Sequence, residues 1–222
     1  MATPEFRAAL RRALASRGAA CLELEFRLGV DRGGAFVPGA TRDAFERLEA
    51  WLARSAAFSE DAPRTCTEYY FADGVGGGGR LDDAGAWTRK DRVARGDEAA
   101  GGGLRVRASA AYEARGRAPP GATPAACAFF RRKTRRSWTW RELPWRVDLT
   151  RVQSTEDPDA DDFCYEVEIE LADASAFYSV PADALVDAGA GIARDLARAC
   201  APLPAPALIR SAPERPAPGA SA

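Results

Sequence analysis

Residues 164–171, CYEVEIEL, set Glu166, Glu168 and Glu170 at every second position, with Val167, Ile169 and Leu171 between them. Successive side chains of a β-strand point to opposite faces. The three carboxylates therefore share one face and the apolar residues the other. Residues 21–29, CLELEFRLG, repeat the arrangement, with Glu23 and Glu25 against Leu22, Leu24, Phe26 and Leu28. One half-exposed strand with its acids in water is ordinary. Two strands that each line up mutually repelling charges need a reason. Glutamates gathered on one wall suit a hard divalent cation, Mg²⁺ or Mn²⁺, because carboxylate oxygens are the ligands such ions prefer.

A second pair of stretches carries the opposite charge. In residues 131–138, RRKTRRSW, alternation puts Arg131, Lys133 and Arg135 on one face; in 145–150, WRVDLT, it puts Arg146, Asp148 and Thr150 together. Taken alone, these fit a solvated basic edge strand or a wall of cations for phosphate oxygens about equally well. Both walls together decide between the readings. A closed barrel turns one face of every strand inward, and charges packed in a dry interior are very costly. The consistent solution is a hydrated tunnel with opposed acidic and basic walls, holding a metal–polyphosphate.

The rest of the chain fits an α+β, β-dominated protein. Helical spacing of Phe6, Leu10 and Leu14 predicts a helix over 4–17 with Thr3 as its cap, and Phe45, Leu48, Trp51 and Leu52 predict another over 41–57. From about 64 to 180 the pattern is of short strands: 65–72, 79–82, 86–94, 103–113, 126–140, 144–153 and 163–171, with 175–180 as a further short strand. Glycines at 33, 34 and 39 mark a turn region, 74–79 and 101–103 are glycine-rich loops, and 156–162 is an acidic turn. Residues 181–199 return to helix. Residues 1–202 are expected to form one domain, and 203–222, rich in Pro and Ala, a disordered tail.

Composition excludes several chemistries. The 222 residues contain no histidine, so Ser-His-Asp triads, Cys-His dyads and His-ligated zinc are out. The five cysteines form no CxxC pair and are odd in number, which fits free thiols in a reducing compartment. A net charge of −1 draws the chain to no polyanion globally. The N-terminus has no apolar signal core and no run approaches membrane-spanning length, so a soluble intracellular protein without a membrane partner is expected. Cys21 and Arg27 match the C-x5-R spacing of cysteine phosphatases, but the strand-like, acidic LELEF between them cannot form the required anion-binding turn. The glycines of GVGGGGRL (74–81) have P-loop spacing, but Arg80 and Leu81 stand where Lys and Ser/Thr belong. Tryptophans such as Trp138 and Trp140 read as packing or rim residues.

These residues, in this order, resemble the RNA 5′-triphosphatases of the triphosphate tunnel metalloenzyme superfamily, in the form found in fungi, protozoa and large DNA viruses. The first-strand glutamate motif corresponds to Glu23 and Glu25, the R-x-K-x-R strand to Arg131, Lys133 and Arg135, the R-x-D-x-T strand to Arg146, Asp148 and Thr150, and the E-x-E-x-E strand to Glu166, Glu168 and Glu170. Arg80, Lys90 and Glu113 are looser matches. The resemblance implies an eight-stranded antiparallel β-barrel with flanking helices. It also implies Mg²⁺- or Mn²⁺-dependent removal of the γ-phosphate from triphosphate-ended RNA, the first step of mRNA capping. Carried over, Glu23, Glu25 and Glu170 hold the metal, and Glu166 and Glu168 support it. Arg80, Lys90, Arg131, Lys133, Arg135 and Arg146 contact phosphate, Glu113 orients the attacking water, and Asp148 and Thr150 order the basic side chains. A separate guanylyltransferase partner, a monomer or homodimer, and a nuclear, cytoplasmic or viral-factory location complete that expectation. A tunnel hydrolase of inorganic triphosphate, polyphosphate or nucleoside triphosphate, and a non-catalytic polyphosphate- or RNA-end-binding module, are the alternatives.

Overall fold

The computed structural model describes residues 2–72, 78–101, 103–154 and 163–200. Helix α1 (Pro4–Arg17) opens the chain, with the Phe6 N–H donating to Thr3 Oγ1 at 3.2 Å as the sequence leads one to expect of a Thr cap. Strands β1 (Leu22–Arg32) and β2 (Ala35–Pro38) follow, then α2 (Arg42–Arg54), capped by Thr41. Strands β3 (Phe58–Glu60), β4 (Arg64–Phe71), β5 (Gly79–Asp82), β6 (Trp87–Gly101), β7 (Leu104–Gly116), β8 (Phe129–Trp140), β9 (Trp145–Gln153) and β10 (Phe163–Leu171) come next. Two helices, α3 (Ala176–Ser179) and α4 (Ala182–Cys200), end the described chain.

The strands run in the order β10-β9-β8-β4-β5-β6-β7-β1, every neighbour is antiparallel, and pairing of β1 with β10 closes an eight-stranded barrel. β2 lies outside that ring as a hairpin partner of β1, and β3 pairs with β8. The expected barrel is therefore present, with two strands that alternation did not reveal. β2 is four residues long and framed by Gly33, Gly34 and Gly39, all at positive φ, so the glycines set the turns while the strand itself escapes notice. The expected strand over 175–180 is not there: Ala176–Ser179 form a short helix, nucleated by Asp173, whose carboxylate accepts from both the N–H and the hydroxyl of Ser175. The acidic turn at 156–162, most of the 74–79 loop and the 203–222 tail lie outside the described residues.

The apolar core sits outside the barrel, under the helices. The outward faces of β1 (Leu22, Leu24, Phe26, Leu28), β9 (Trp145, Val147, Leu149) and β10 (Val167, Ile169, Leu171) are buried against Phe6, Phe45, Leu48, Leu185, Ile192 and Leu196 of the helices. Gly189 lets α4 approach closely, since a Cβ there would overlap the Phe26 and Trp145 rings. Trp138 is buried in the same layer, as a packing residue. The hydrophobic layer outside frees the inward faces from any packing duty, so they can be charged. All five cysteines are free thiols.

Candidate active site: a tunnel with opposed charged walls

Parity on each strand now decides what the tunnel holds. On β8, Arg131, Lys133 and Arg135 point inward and reach acids on other strands. Arg131 Nη2 lies 2.6 Å from Glu166 Oε1, Lys133 Nζ 2.6 Å from Glu68 Oε2, and Arg135 Nη1 2.9 Å from Asp148 Oδ2. Their neighbours point out: Arg136 pairs with Glu49 and Glu60, and Arg132 reaches Gln153. On β9, Asp148 is fully buried and accepts from both Arg135 and Arg146, while Thr150 Oγ1 accepts from Arg135 Nε at 3.2 Å. These two residues fix the orientation of two guanidinium groups, which is what a phosphate-gripping wall requires.

The acidic wall is built by β1 and β10. Register sets Glu25 directly opposite Glu170, with Glu23 two residues along on the same face. Glu23 stands against Lys90 of β6 (Nζ–Oε2 2.5 Å), and Glu170 against Arg146 (2.8 Å). Glu168 is held between Arg27 (2.8 Å) and Arg135 (3.3 Å). Burial pushes Glu168 toward the neutral form, but Arg27 and Arg135 overcome it and hold the group below the usual carboxylate range. Glu23 behaves in the opposite way. Burial pushes it up to about 8, against the pull of Lys90 and with the help of the Glu25 and Glu170 charges. Burial also raises Glu170, against Arg146, with Asp148 and Glu168 adding to the rise.

Among the described residues no three acidic or cysteine side chains converge as a finished metal cluster, because each acid is drawn onto a cation across the tunnel. The donor set nevertheless suits a hard cation. Glu23 Oε2 is buried without a well-formed hydrogen bond despite its nearness to Lys90, and both Glu23 and Glu170 sit where negative charge is in excess. Carboxylate oxygens from Glu23, Glu25 and Glu170 are of the right kind for Mg²⁺ or Mn²⁺.

The looser matches also face inward. Arg80 on β5 bonds Glu113 on β7 (2.9 Å), and Lys90 is 3.7 Å from the same carboxylate. The residues proposed from sequence to bind metal or phosphate thus lie on the tunnel side. Sequence reasoning missed Glu68 and Tyr70 on β4 and gave no role to Arg27. Lys133 is almost wholly buried and has Glu68 as its counter-ion, and the Tyr70 hydroxyl donates to Glu68 at 2.5 Å. A lone acid in TCTEYYF repeats nothing, so its only signal is that it shares a face with the cysteine and tyrosine two residues either side. Arg92 and Arg95 of β6 were also missed. Both line a cavity with Arg27 and Arg107, and the irregular pairing between Arg92 and Ala94 shifts the parity that would have linked them.

The described strands thus form an eight-stranded antiparallel tunnel with an acidic wall facing a basic wall, the architecture that the resemblance implies. Comparison with known proteins agrees. The family described as "mRNA capping enzyme, beta chain" matches residues 107–184, which carry Glu113 and the three late motifs. A 5′-RNA triphosphatase of Paramecium bursaria Chlorella virus 1 is 28% identical over 199 residues, covering 85% of this chain and 95% of the relative. Among solved structures, the Schizosaccharomyces pombe RNA triphosphatase Pct1, in complex with the Spt5 CTD, superimposes with a TM-score of 0.66 at 14% identity, covering 88% of this chain and 94% of its own. The RNA triphosphatase domain of a trifunctional mimivirus capping enzyme gives 0.55 at 15% identity, covering 88% and 95%. The solved structures share the fold; the family match and the viral relative bear out the resemblance read from the motifs. No described helix is long and apolar enough to cross a membrane.

Proposed function

We propose that this protein is a metal-dependent RNA 5′-triphosphatase that removes the γ-phosphate from triphosphate-ended RNA, the first step of mRNA capping. The observation that carries the proposal is the pair of opposed walls inside one closed tunnel: cations on β6, β8 and β9 face carboxylates on β1 and β10, and Arg80 on β5 faces Glu68 on β4 and Glu113 on β7. A polyphosphate entering that space exchanges one set of anionic partners for another, so the cations need no new orientation.

Phosphoryl transfer asks for positioning and charge stabilisation rather than covalent chemistry from the protein. Arg131, Lys133, Arg135 and Arg146 take the phosphate oxygens from the β8–β9 side, and Arg80 and Lys90 from the β5–β6 side. Asp148 and Thr150 hold the Arg135 and Arg146 forks in place. Glu23, Glu25 and Glu170 would hold the cation, with Glu166 and Glu168 supporting it. A bound divalent cation supplies charge neutralisation at the γ-phosphate and its leaving oxygen. Glu113, released from Arg80, orients the attacking water. A separate guanylyltransferase then acts on the diphosphate end. Residues 1–202 form the working domain.

The test is a substrate panel: triphosphate-ended RNA, ATP and inorganic triphosphate, each with and without Mg²⁺ or Mn²⁺. Metal-dependent phosphate release, with RNA the preferred substrate by kcat/KM, supports the proposal. Preference for inorganic triphosphate would place the chain among general tunnel hydrolases. Tight RNA-end binding without turnover would make it a binding module.

A further inference from the structure

One cavity at the tunnel rim carries a feature that phosphate chemistry does not need. It has a volume of about 530 Å³ and is lined by Arg80 and Lys90 together with Tyr70 and Phe129. Tyr70 on β4 and Phe129 on β8 are register partners. Their rings stack in parallel, 4.7 Å apart with an interplanar angle of 6°. Phe129 precedes Arg131 by two residues on the same strand, so its ring lies on the tunnel side, yet it is 52% exposed. The hydrogen bond from the Tyr70 hydroxyl to Glu68 anchors the inner ring, and Tyr70 in turn fixes the plane of Phe129.

We propose that Phe129, backed by Tyr70, is the platform on which the first nucleobase of the RNA stacks while its triphosphate passes Arg80 and Lys90 into the tunnel. This deepens the triphosphatase reading and rests on it. Stacking on an aromatic face tolerates every base, as recognition of an RNA end of any sequence requires. It needs an open ring of fixed orientation beside the groups that hold the phosphates, and this cavity has both. A neighbouring cavity of about 330 Å³ also reaches Lys90, but its aromatic ring, Phe36, is covered by the Arg107 guanidinium 4.0 Å from the ring centre. That cavity, with Arg27, Arg92 and Arg95, suits backbone phosphates rather than a base.

The test measures kcat and KM for triphosphate-ended RNA, GTP and inorganic triphosphate, at saturating Mn²⁺. Phe129→Ala should raise KM for RNA and GTP about tenfold, the order of effect that one base–aromatic stack contributes. It should leave kcat within about twofold and all constants for inorganic triphosphate unchanged, and Phe129→Trp should restore KM. Equal changes for all three substrates, or none, would overturn the platform. So would a raised RNA KM in Arg95→Ala with Phe129→Ala silent. If the wild type turns over none of the three, the triphosphatase reading fails, and fluorescence of Phe129→Trp still tests the platform. Extra quenching by GTP over inorganic triphosphate, relative to wild type, supports it; equal or absent quenching removes it.

Discussion

Which face of its strand a side chain occupies can be tested one residue at a time. Arg131→Ala and Arg135→Ala should each lower turnover about a hundredfold or more, the scale of a preorganised contact that strengthens in the transition state. Arg132→Ala and Arg136→Ala remove the same charge from the outside of the same strand and should stay within a few fold of wild type. Equal losses at all four positions, measured as phosphate release at saturating metal, would mean that the strand presents no inward wall. Glu68 yields a second prediction. Burial disfavours its charge, but Lys133 and Arg80 overcome burial and bring its pKa down to about 2 from 4.5. A carboxylate depressed in the folded state contributes stability above its unfolded pKa and loses it as pH falls toward the folded value. The melting temperature of the wild type should therefore exceed that of Glu68→Gln by a margin that is full at neutral pH and shrinks between about pH 4.5 and 2. At neutral pH the loss should be about 3 kcal/mol, since Lys133 is left buried without its partner. A margin independent of pH would show that Glu68 is not the counter-ion that matters.

At the scale of the element, what the sequence made legible depended on repetition. β1, β8, β9 and β10 repeat a charge at every second position, so alternation revealed both the strand and its inward face. β4 and β6 also line the tunnel, but Glu68 stands alone and the bulge near Val93 breaks the period, so their inward residues were only partly found. β6 was expected to end near 94 and in fact runs to Gly101, because β7 pairs with it from Trp87 opposite Gly116 to Gly101 opposite Leu104, and Gly103 between the two strands takes the positive φ (+79°) of a turn. β2 and β3 are too short to show a period. The short helix at Ala176–Ser179 was misread because SAFYSV has strand-like composition, while the Asp173 side chain that starts it lies outside that window. Helix α4 carries its own prediction. Gly189 faces Phe26 and Trp145, two buried rings already in mutual contact with centroids 5.7 Å apart. Gly189→Ala should cost about 1–3 kcal/mol through overpacking, despite alanine's better helix propensity. A melting temperature equal to or above wild type would show that α4 has room to shift off the barrel.

For the whole molecule, the governing relation is the inversion of inside and outside. The barrel sends its apolar faces outward beneath α1, α2 and α4 and keeps its charges within, so apolar packing and site chemistry are carried by opposite faces of the same strands, with buried pairs such as Glu68–Lys133 adding stability from the inner face. Substitutions on the inner face that preserve shape, such as Glu25→Gln, should then leave the protein folded while removing metal-dependent turnover. The most direct measurement of the central claim uses triphosphate-ended RNA labelled separately at the γ- and α-phosphates, incubated with the wild-type protein and Mn²⁺, then with excess chelator. If the tunnel mechanism holds, the γ label is released as inorganic phosphate, the α label stays on a diphosphate-ended RNA, and both chelator and Glu25→Gln stop the release. Release that continues undiminished in chelator, or that yields pyrophosphate, would contradict it.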